Sequence, residues 1–219
     1  MKNRFDLLVF DWDGTLIDSI GWIVQCIQHA ARKSELEIPG DQAARSVIGL
    51  SLQQAMQALY PGFSPEQADR LADHYREYYH THADDALSLF DGVYAMLVEL
   101  KSQGYQLAVA TGKARGGLDH ALSEAGLESM FHATRCSDET ASKPDPLMLH
   151  EIIDELGVTR ERTLLIGDSW HDMRMANNAG VAAVAVGCGA NQLDELEAFN
   201  PLFSIQSTVE LLALLEGTP

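Results

Sequence analysis

The sequence predicts an α/β fold, a doubly wound parallel sheet interrupted by an inserted α-helical cap. Three observations carry this prediction. Short apolar runs rich in β-branched residues recur along the chain, helical patterns alternate with them, and one long stretch contains helical patterns only. At 219 residues the chain is long enough for one large domain carrying an insertion.

The strand-like runs are Leu7 to Phe10, Gln106 to Ala110, Thr163 to Ile166 and Val181 to Val186, with a fainter one at Phe131 to Thr134. They are mostly apolar rather than alternating, the pattern of strands buried on both faces of a parallel sheet. Between them, Val93, Met96, Leu97 and Leu100 run to Gly104, Leu118, Ala121, Leu122 and Ala125 run to Gly126, and Met148, Ile152 and Leu156 run to Gly157. Each set has helical spacing and ends at a glycine. From Ile17 to Ala86 the rhythm breaks. Helical segments are predicted at Asp18 to Lys33, Asp41 to Leu59 and Pro65 to His82, separated by the turn signals Pro39-Gly40 and Pro61-Gly62. The division that follows is a core of residues 1–16 and 87–219 and a cap of residues 17–86. The insertion leaves just after an acidic pair and returns near Phe90-Asp91-Gly92, which positions it as a lid over the strand ends.

Charge narrows the partners. The formal net charge is −17, from 32 acidic against 15 basic residues, with no Lys/Arg block. Such a surface repels phosphate backbones, so neither nucleic acid nor an anionic membrane is expected as partner. An anionic substrate would need a metal and a few local cations. Cys26, Cys136 and Cys188 are odd in number and form no C-x-x-C pair, which argues against a disulfide framework and a zinc site and for a reducing cytoplasm. No signal-peptide core or membrane-length apolar stretch is present in the sequence, so a soluble, unanchored protein is expected.

Open α/β sheets bind ligands at the carboxyl ends of their strands. The residues there are Asp11-Trp12-Asp13-Gly14-Thr15, then Thr111-Gly112-Lys113, then Ser142-Lys143-Pro144-Asp145-Pro146, and finally Gly167-Asp168-Ser169-Trp170-His171-Asp172. Positions i and i+2 share a side of a strand, so Asp11 and Asp13 can face one site. Taken singly these motifs have plain alternatives. Asp-x-Asp suits a solvated turn, Thr111 a strand-end hydroxyl bonding its own backbone, and Lys143 a solvated lysine at a helix start.

Taken in order and at these separations, the four motifs resemble those of the haloacid dehalogenase (HAD) superfamily hydrolases. The similarity is to the subfamily with a helical cap after the first motif, and within it to phosphoglycolate phosphatase-like members. The resemblance implies that Asp11 attacks phosphorus to form an aspartyl-phosphate and that Asp13 is the general acid and then the base. A carboxylate at Asp13, rather than an apolar side chain, favours phosphate ester hydrolysis over dehalogenation. Mg²⁺ is the implied cofactor, held by the Asp11 carboxylate, the Asp13 backbone carbonyl and the Asp168 carboxylate; Asp172 ranks behind Asp168, as a direct or water-mediated ligand. Thr111 and the Gly112 amide would hold phosphate oxygens, and Lys143 would supply a fixed positive charge.

Other residues are expected to do plainer work. Asp145 reads as a helix cap with Pro146 at the first helical position. His171 is expected to be partly exposed rather than a ligand. Tyr75, Tyr78 and Tyr79 read as lid packing, and His74, His80 and His82 as a surface cluster. Gly49, in Val47-Ile48-Gly49-Leu50-Ser51, sits where cap members carry a specificity loop. Arg45 nearby is a candidate anion-binding residue or a solvated helix arginine. The family's common asparagine after the motif threonine is replaced by Gly112, with Lys113 and Arg115 following; this makes Lys113 a candidate substrate contact and signals a shift in leaving-group recognition.

The leading expectation is a Mg²⁺-dependent phosphatase of small cytosolic phosphate monoesters, with cap closure excluding water. The alternatives are a sugar phosphomutase of the same cap type, similar to β-phosphoglucomutase, and a non-enzymatic receiver-like switch phosphorylated on aspartate. No clear cap-linker His or Lys signature for a mutase is present at Asp18-Ser19-Ile20-Gly21-Trp22. A receiver would be about half this length, with its acidic pair ahead of a mid-sheet phospho-accepting aspartate. Phosphoglycolate, sugar phosphates, nucleoside monophosphates and pyrophosphate all remain open as substrates, and the chain is expected to be a monomer or a homodimer.

Overall fold

The computed structural model describes residues 4–82 and 88–217. Among these, the strands β1 (Leu7–Phe10), β2 (Gln106–Thr111), β3 (Ala133–Cys136), β4 (Thr163–Gly167), β5 (Ala182–Val186) and β6 (Phe203–Ile205) form one six-stranded sheet in the order β3-β2-β1-β4-β5-β6. Every pairing is parallel. The chain order reverses at β1, which lies between β2 and β4. Phe10 pairs with Val109 on one side and Ile166 on the other, so Asp11 emerges at the switch point where such sheets open a crevice.

All four β1 residues are buried, because helices cover both faces of the sheet. Leu8 and Phe10 pack into one layer with α5 (Val93–Ser102), α6 (Arg115–Glu124) and α10 (Leu211–Glu216). Leu7 and Val9 pack into the other with α7 (Leu147–Leu156), α8 (Trp170–Ala179) and α9 (Leu193–Glu197).

Helices α1 (Ile20–Lys33), α2 (Asp41–Ser46), α3 (Leu52–Leu59) and α4 (Pro65–His82) occupy the predicted insertion and share their own apolar cluster, which includes Ile23, Ile27, Ile48, Met56 and Leu71. Its outgoing and returning segments meet. Asp18 N donates to the Ser88 carbonyl at 2.9 Å, Phe90 N donates to the Leu16 carbonyl at 3.0 Å, and Ile17 bridges Leu89. The expected return to the core at 86/87 lies outside the described residues.

Three expectations need correction. The helix predicted over Asp41 to Leu59 is two helices: Gly49 takes φ +101°, which interrupts helical backbone, and Ser51 then caps α3 by accepting from Gln54 N at 3.4 Å. The helix after Lys143 begins at Leu147 rather than Pro146, although Asp145 Oδ1 does accept the Leu147 amide at 2.9 Å. His171 is buried, not partly exposed, and its Nε2 donates to the Ser46 carbonyl of the insertion at 3.0 Å. Burial pushes the His171 ring down to about 4, so it serves as a neutral packing group between cap and core.

Candidate active site

Asp11 still belongs to the sheet through its amide, which donates to the Ile166 carbonyl at 2.9 Å. Its carboxylate is buried. Oδ1 accepts from Trp12 N at 2.7 Å and from Lys143 Nζ at 2.8 Å, while Oδ2 has no hydrogen-bond partner among the described residues. Burial, followed by the Asp172 carboxylate, lifts the Asp11 pKa well above the ordinary range, against the pull of Lys143. An orphaned buried oxygen of this kind suits a group that binds a cation or attacks a substrate.

Lys143 is no solvated lysine. Its side chain is fully buried, and Nζ contacts Asp11 Oδ1 at 2.8 Å and Asp172 Oδ1 at 2.6 Å. Burial works against its charge, but the two carboxylates outweigh it and hold the ammonium above the ordinary lysine range. Asp172 is fixed from its other side by Ser169, whose amide and hydroxyl reach Asp172 Oδ2 at 3.1 and 2.5 Å. Asp172 N in turn donates to Ser169 Oγ, which closes a reciprocal capping box at the start of α8.

Asp168 Oδ1 accepts from Thr15 Oγ1 and Oδ2 from Ala190 N, both at 2.7 Å. Burial, then Asp172, pushes its carboxyl up to about 7. One oxygen each from Asp11, Asp168 and Asp172 lies within 4.8 Å of the others, a buried set able to hold a metal ion. Asp13 lies outside that set. Its Oδ1 accepts from Ser19 Oγ at 2.7 Å, and its Oδ2 pairs with Lys113 Nζ at 3.2 Å.

Thr111, buried at the end of β2, accepts the Lys113 amide at 3.2 Å, which leaves its hydroxyl proton free to donate. Gly112 is required by space. A Cβ there would stand 2.5 Å from the Leu50 carbonyl and 2.6 Å from that of Gly49, so the insertion's loop rests directly on the core at this glycine. Lys113 Nζ also donates to Tyr79 OH on α4 at 3.2 Å, linking insertion and core.

A cavity of about 420 Å³ runs between insertion and core from Asp11, Asp13, Thr111, Gly112 and Lys113 to Gly49, Tyr75 and Tyr79. Arg45 is not part of its described lining. The short α2 turns that guanidinium toward the core, where Nη1 reaches the Gly189 carbonyl at 3.5 Å. Tyr75 and Tyr79 face the cavity, while Tyr78 stacks outward on Trp22 and His29. Tyr75 and Tyr79 do pack against the insertion's apolar cluster, as expected, and they line the cavity as well. Of the histidines, His80 reaches the rim, His74 contacts Ser34 Oγ at 2.8 Å and His82 stacks on Tyr78.

The haloacid dehalogenase-like hydrolase family model matches residues 8–186, so the chain belongs to that family and is a hydrolase. "Probable phosphatase IndB" of Dickeya dadantii is 34% identical over 212 residues, covering 94% of this chain and 91% of that protein. "Pyrophosphatase PpaX" of Halalkalibacterium halodurans is 30% identical over 213 residues, covering 97% of both chains. A solved structure from Bacteroides fragilis, described as a haloacid dehalogenase-like hydrolase, superposes with a TM-score of 0.88 at 26% identity and covers 95% of this chain and 100% of that one.

Sequence reasoning passed over Thr15, Ser19, Ser169 and Ser142, whose Oγ accepts the Ser51 amide at 2.8 Å. One of these had a signal: Ser169-Trp170-His171-Asp172 has capping-box spacing, which identifies Asp172 as an anchored carboxylate.

Proposed function

We propose that the protein is a Mg²⁺-dependent phosphatase of small phosphorylated metabolites, working through a phosphoenzyme on Asp11. The observation that carries this reading is the buried Asp11 carboxylate, with one oxygen on Lys143 and the other unpartnered among the described residues, beside Asp168. In the first step an Asp11 oxygen bonds to phosphorus as the bond to the leaving alcohol breaks, and Asp13 gives that alcohol its proton. In the second, Asp13 takes a proton from water, which attacks phosphorus and frees Asp11 and inorganic phosphate.

Lys143 neutralises charge at the nucleophile and the phosphoryl group, and Asp172, locked in its capping box, holds Lys143 in place. Thr111 and the Gly112 amide bind phosphoryl oxygens. The buried carboxylates of Asp11, Asp168 and Asp172 offer only anionic oxygens, which fits Mg²⁺; Asp11, Asp168 and the Asp13 carbonyl would hold it, with Asp172 behind them. When bound, it would offset the repulsion between these carboxylates and an incoming phosphate. Residues 17–86 act as the cap and residues 1–16 and 87–219 as the catalytic core. The three free cysteines suit a reducing cytoplasm.

The test is p-nitrophenyl phosphate hydrolysis by wild type and Asp11→Asn, with Mg²⁺ and with chelator. Asp11→Asn is expected to lose at least about a thousandfold in kcat while melting at or above the wild-type temperature, since it removes one of three clustered buried carboxylates. Substantial turnover by this variant would remove Asp11 as the nucleophile.

A further inference from the structure

We propose that the cavity selects phosphate monoesters whose leaving alcohol is uncharged and apolar or aromatic, and discriminates against a leaving group bearing a second phosphate or a carboxylate. This rests on the phosphatase reading and names the substrate class of the same site. The volume, about 420 Å³, lies in the range of about 300–1,000 Å³ that accommodates organic ligands, more room than an oxyanion alone needs. Part of the cavity wall is hydrocarbon, formed by Ile23, Ile27, Val47, Ile48 and Ala55. Tyr75 and Tyr79 stack with centroids 5.7 Å apart at 24°, Lys113 Nζ lies 5.1 Å from the Tyr79 ring, and both rings line the cavity, adding aromatic area to it.

Charge points the same way. Beyond Asp11, the described lining holds three carboxylates, Asp13, Asp69 and Asp138, against two permanent cations, Lys113 and Arg76. Both cations already have a carboxylate partner in the structure. Lys113 is paired with Asp13 at 3.2 Å, both side chains only 13% exposed, and Arg76 is paired with Asp73 at 2.7 Å. A second phosphate or a carboxylate entering here would lose hydration, would have to compete with Asp13 or Asp73 for a cation, and would face Asp69 and Asp138. A neutral ring would exchange water for Tyr79 and the aliphatic wall.

The experiment measures kcat/KM of the full chain with Mg²⁺ on 2-phenylethyl phosphate, ethyl phosphate, phosphoglycolate and inorganic pyrophosphate, with p-nitrophenyl phosphate as the activity control. Phenylethanol and ethanol are leaving groups of similar basicity, so their ratio reports the pocket rather than the chemistry. The 2-phenylethyl ester is expected to exceed ethyl phosphate by about tenfold, the gain from burying a ring, and to exceed phosphoglycolate and pyrophosphate by at least as much. Asp69→Asn, at an exposed position, is expected to raise phosphoglycolate relative to 2-phenylethyl phosphate by about threefold, the effect of one solvent-screened charge. Faster turnover of phosphoglycolate or pyrophosphate than of the phenylethyl ester would overturn the proposal, as would a ratio unmoved by Asp69→Asn. If p-nitrophenyl phosphate is hydrolysed but the ranking is reversed, only the substrate class fails. If no ester is hydrolysed, the phosphatase reading fails and takes this inference with it.

Discussion

Gly112→Ala tests whether the insertion's seat on the core is part of the catalytic state. The added methyl would lie 2.5 Å from the Leu50 carbonyl and 2.6 Å from that of Gly49, closer than the 3.0 Å below which real Cβ contacts essentially do not occur. Both neighbours are backbone, so the loop must retreat by about 0.5 Å or more. The loop is held nearby, because Ser51 N donates to Ser142 Oγ at 2.8 Å and His171 grips the Ser46 carbonyl at 3.0 Å. Overpacking of this kind costs about 1–3 kcal/mol. The cost falls on the docking of the loop, because the cap's apolar cluster and the sheet layers are separate. The seated population, and with it kcat/KM, is expected to fall by about 5–150-fold, the factor equivalent to that energy. Steady-state phosphate release reads this loss, and thermal denaturation is expected to show only a small change. Gly116→Ala, four residues away in sequence, is the control: its Cβ would meet nothing within 4 Å, and α6 would gain helix propensity at unchanged activity. Wild-type kcat/KM in Gly112→Ala would refute the argument that this contact belongs to the active state.

Three further outcomes follow from the site. Lys143→Met leaves the Asp11 and Asp172 oxygens that now lie 2.8 and 2.6 Å from Nζ without a cation, a loss of about 3–5 kcal/mol in denaturant unfolding in chelator; unchanged stability would mean the site relaxes around the missing charge. Asp13→Asn is expected to slow alkyl phosphates more than p-nitrophenyl phosphate, whose leaving group needs no proton, and equal losses on both would remove Asp13 as the acid. The last outcome concerns pH. Asp168 is raised from 3.8 to about 7 by burial, so between those values the folded chain retains a proton that the unfolded chain has released. Stability of the metal-free protein is therefore expected to fall as pH rises from about 4 to 7, with a lower melting temperature in chelator at about pH 8 than at about pH 5.5. Added Mg²⁺ should restore more at the higher pH. A melting temperature that rises with pH in chelator would contradict the assignment.

The catalytic end of the molecule was more legible in sequence than the binding end, and the difference is physical. Asp11, Thr111, Lys143 and Asp168 each end or follow a strand or precede a helix, so a parallel sheet gathers them at one edge, and its strands show as apolar runs in local composition; the strand order itself comes from the structure. β6 escaped because it is three residues long at the sheet edge, with Ser204 exposed, so it lacks the nearly continuous burial of β1, β2, β4 and β5. The split of α2 from α3 escaped because a single glycine at positive φ leaves the apolar spacing on either side nearly helical. The leaving-group wall escaped for another reason: Ile23, Ile48, Tyr79 and Asp138 come from α1, the loop after α2, α4 and the segment after β3, and nothing in their spacing relates them. Tyr75 and Tyr79 share the helical spacing of the buried Ala68, Leu71 and Ala72, so packing was the fair reading of them. What separates the two roles is where α4 ends up. Its first half closes on the insertion's own core, and in its second half Tyr75 and Tyr79 pack against that core and also line the cavity, Tyr79 meeting Lys113. Which packed residues also line a cavity is thus set by where the insertion meets the core, a tertiary quantity that residue spacing does not encode.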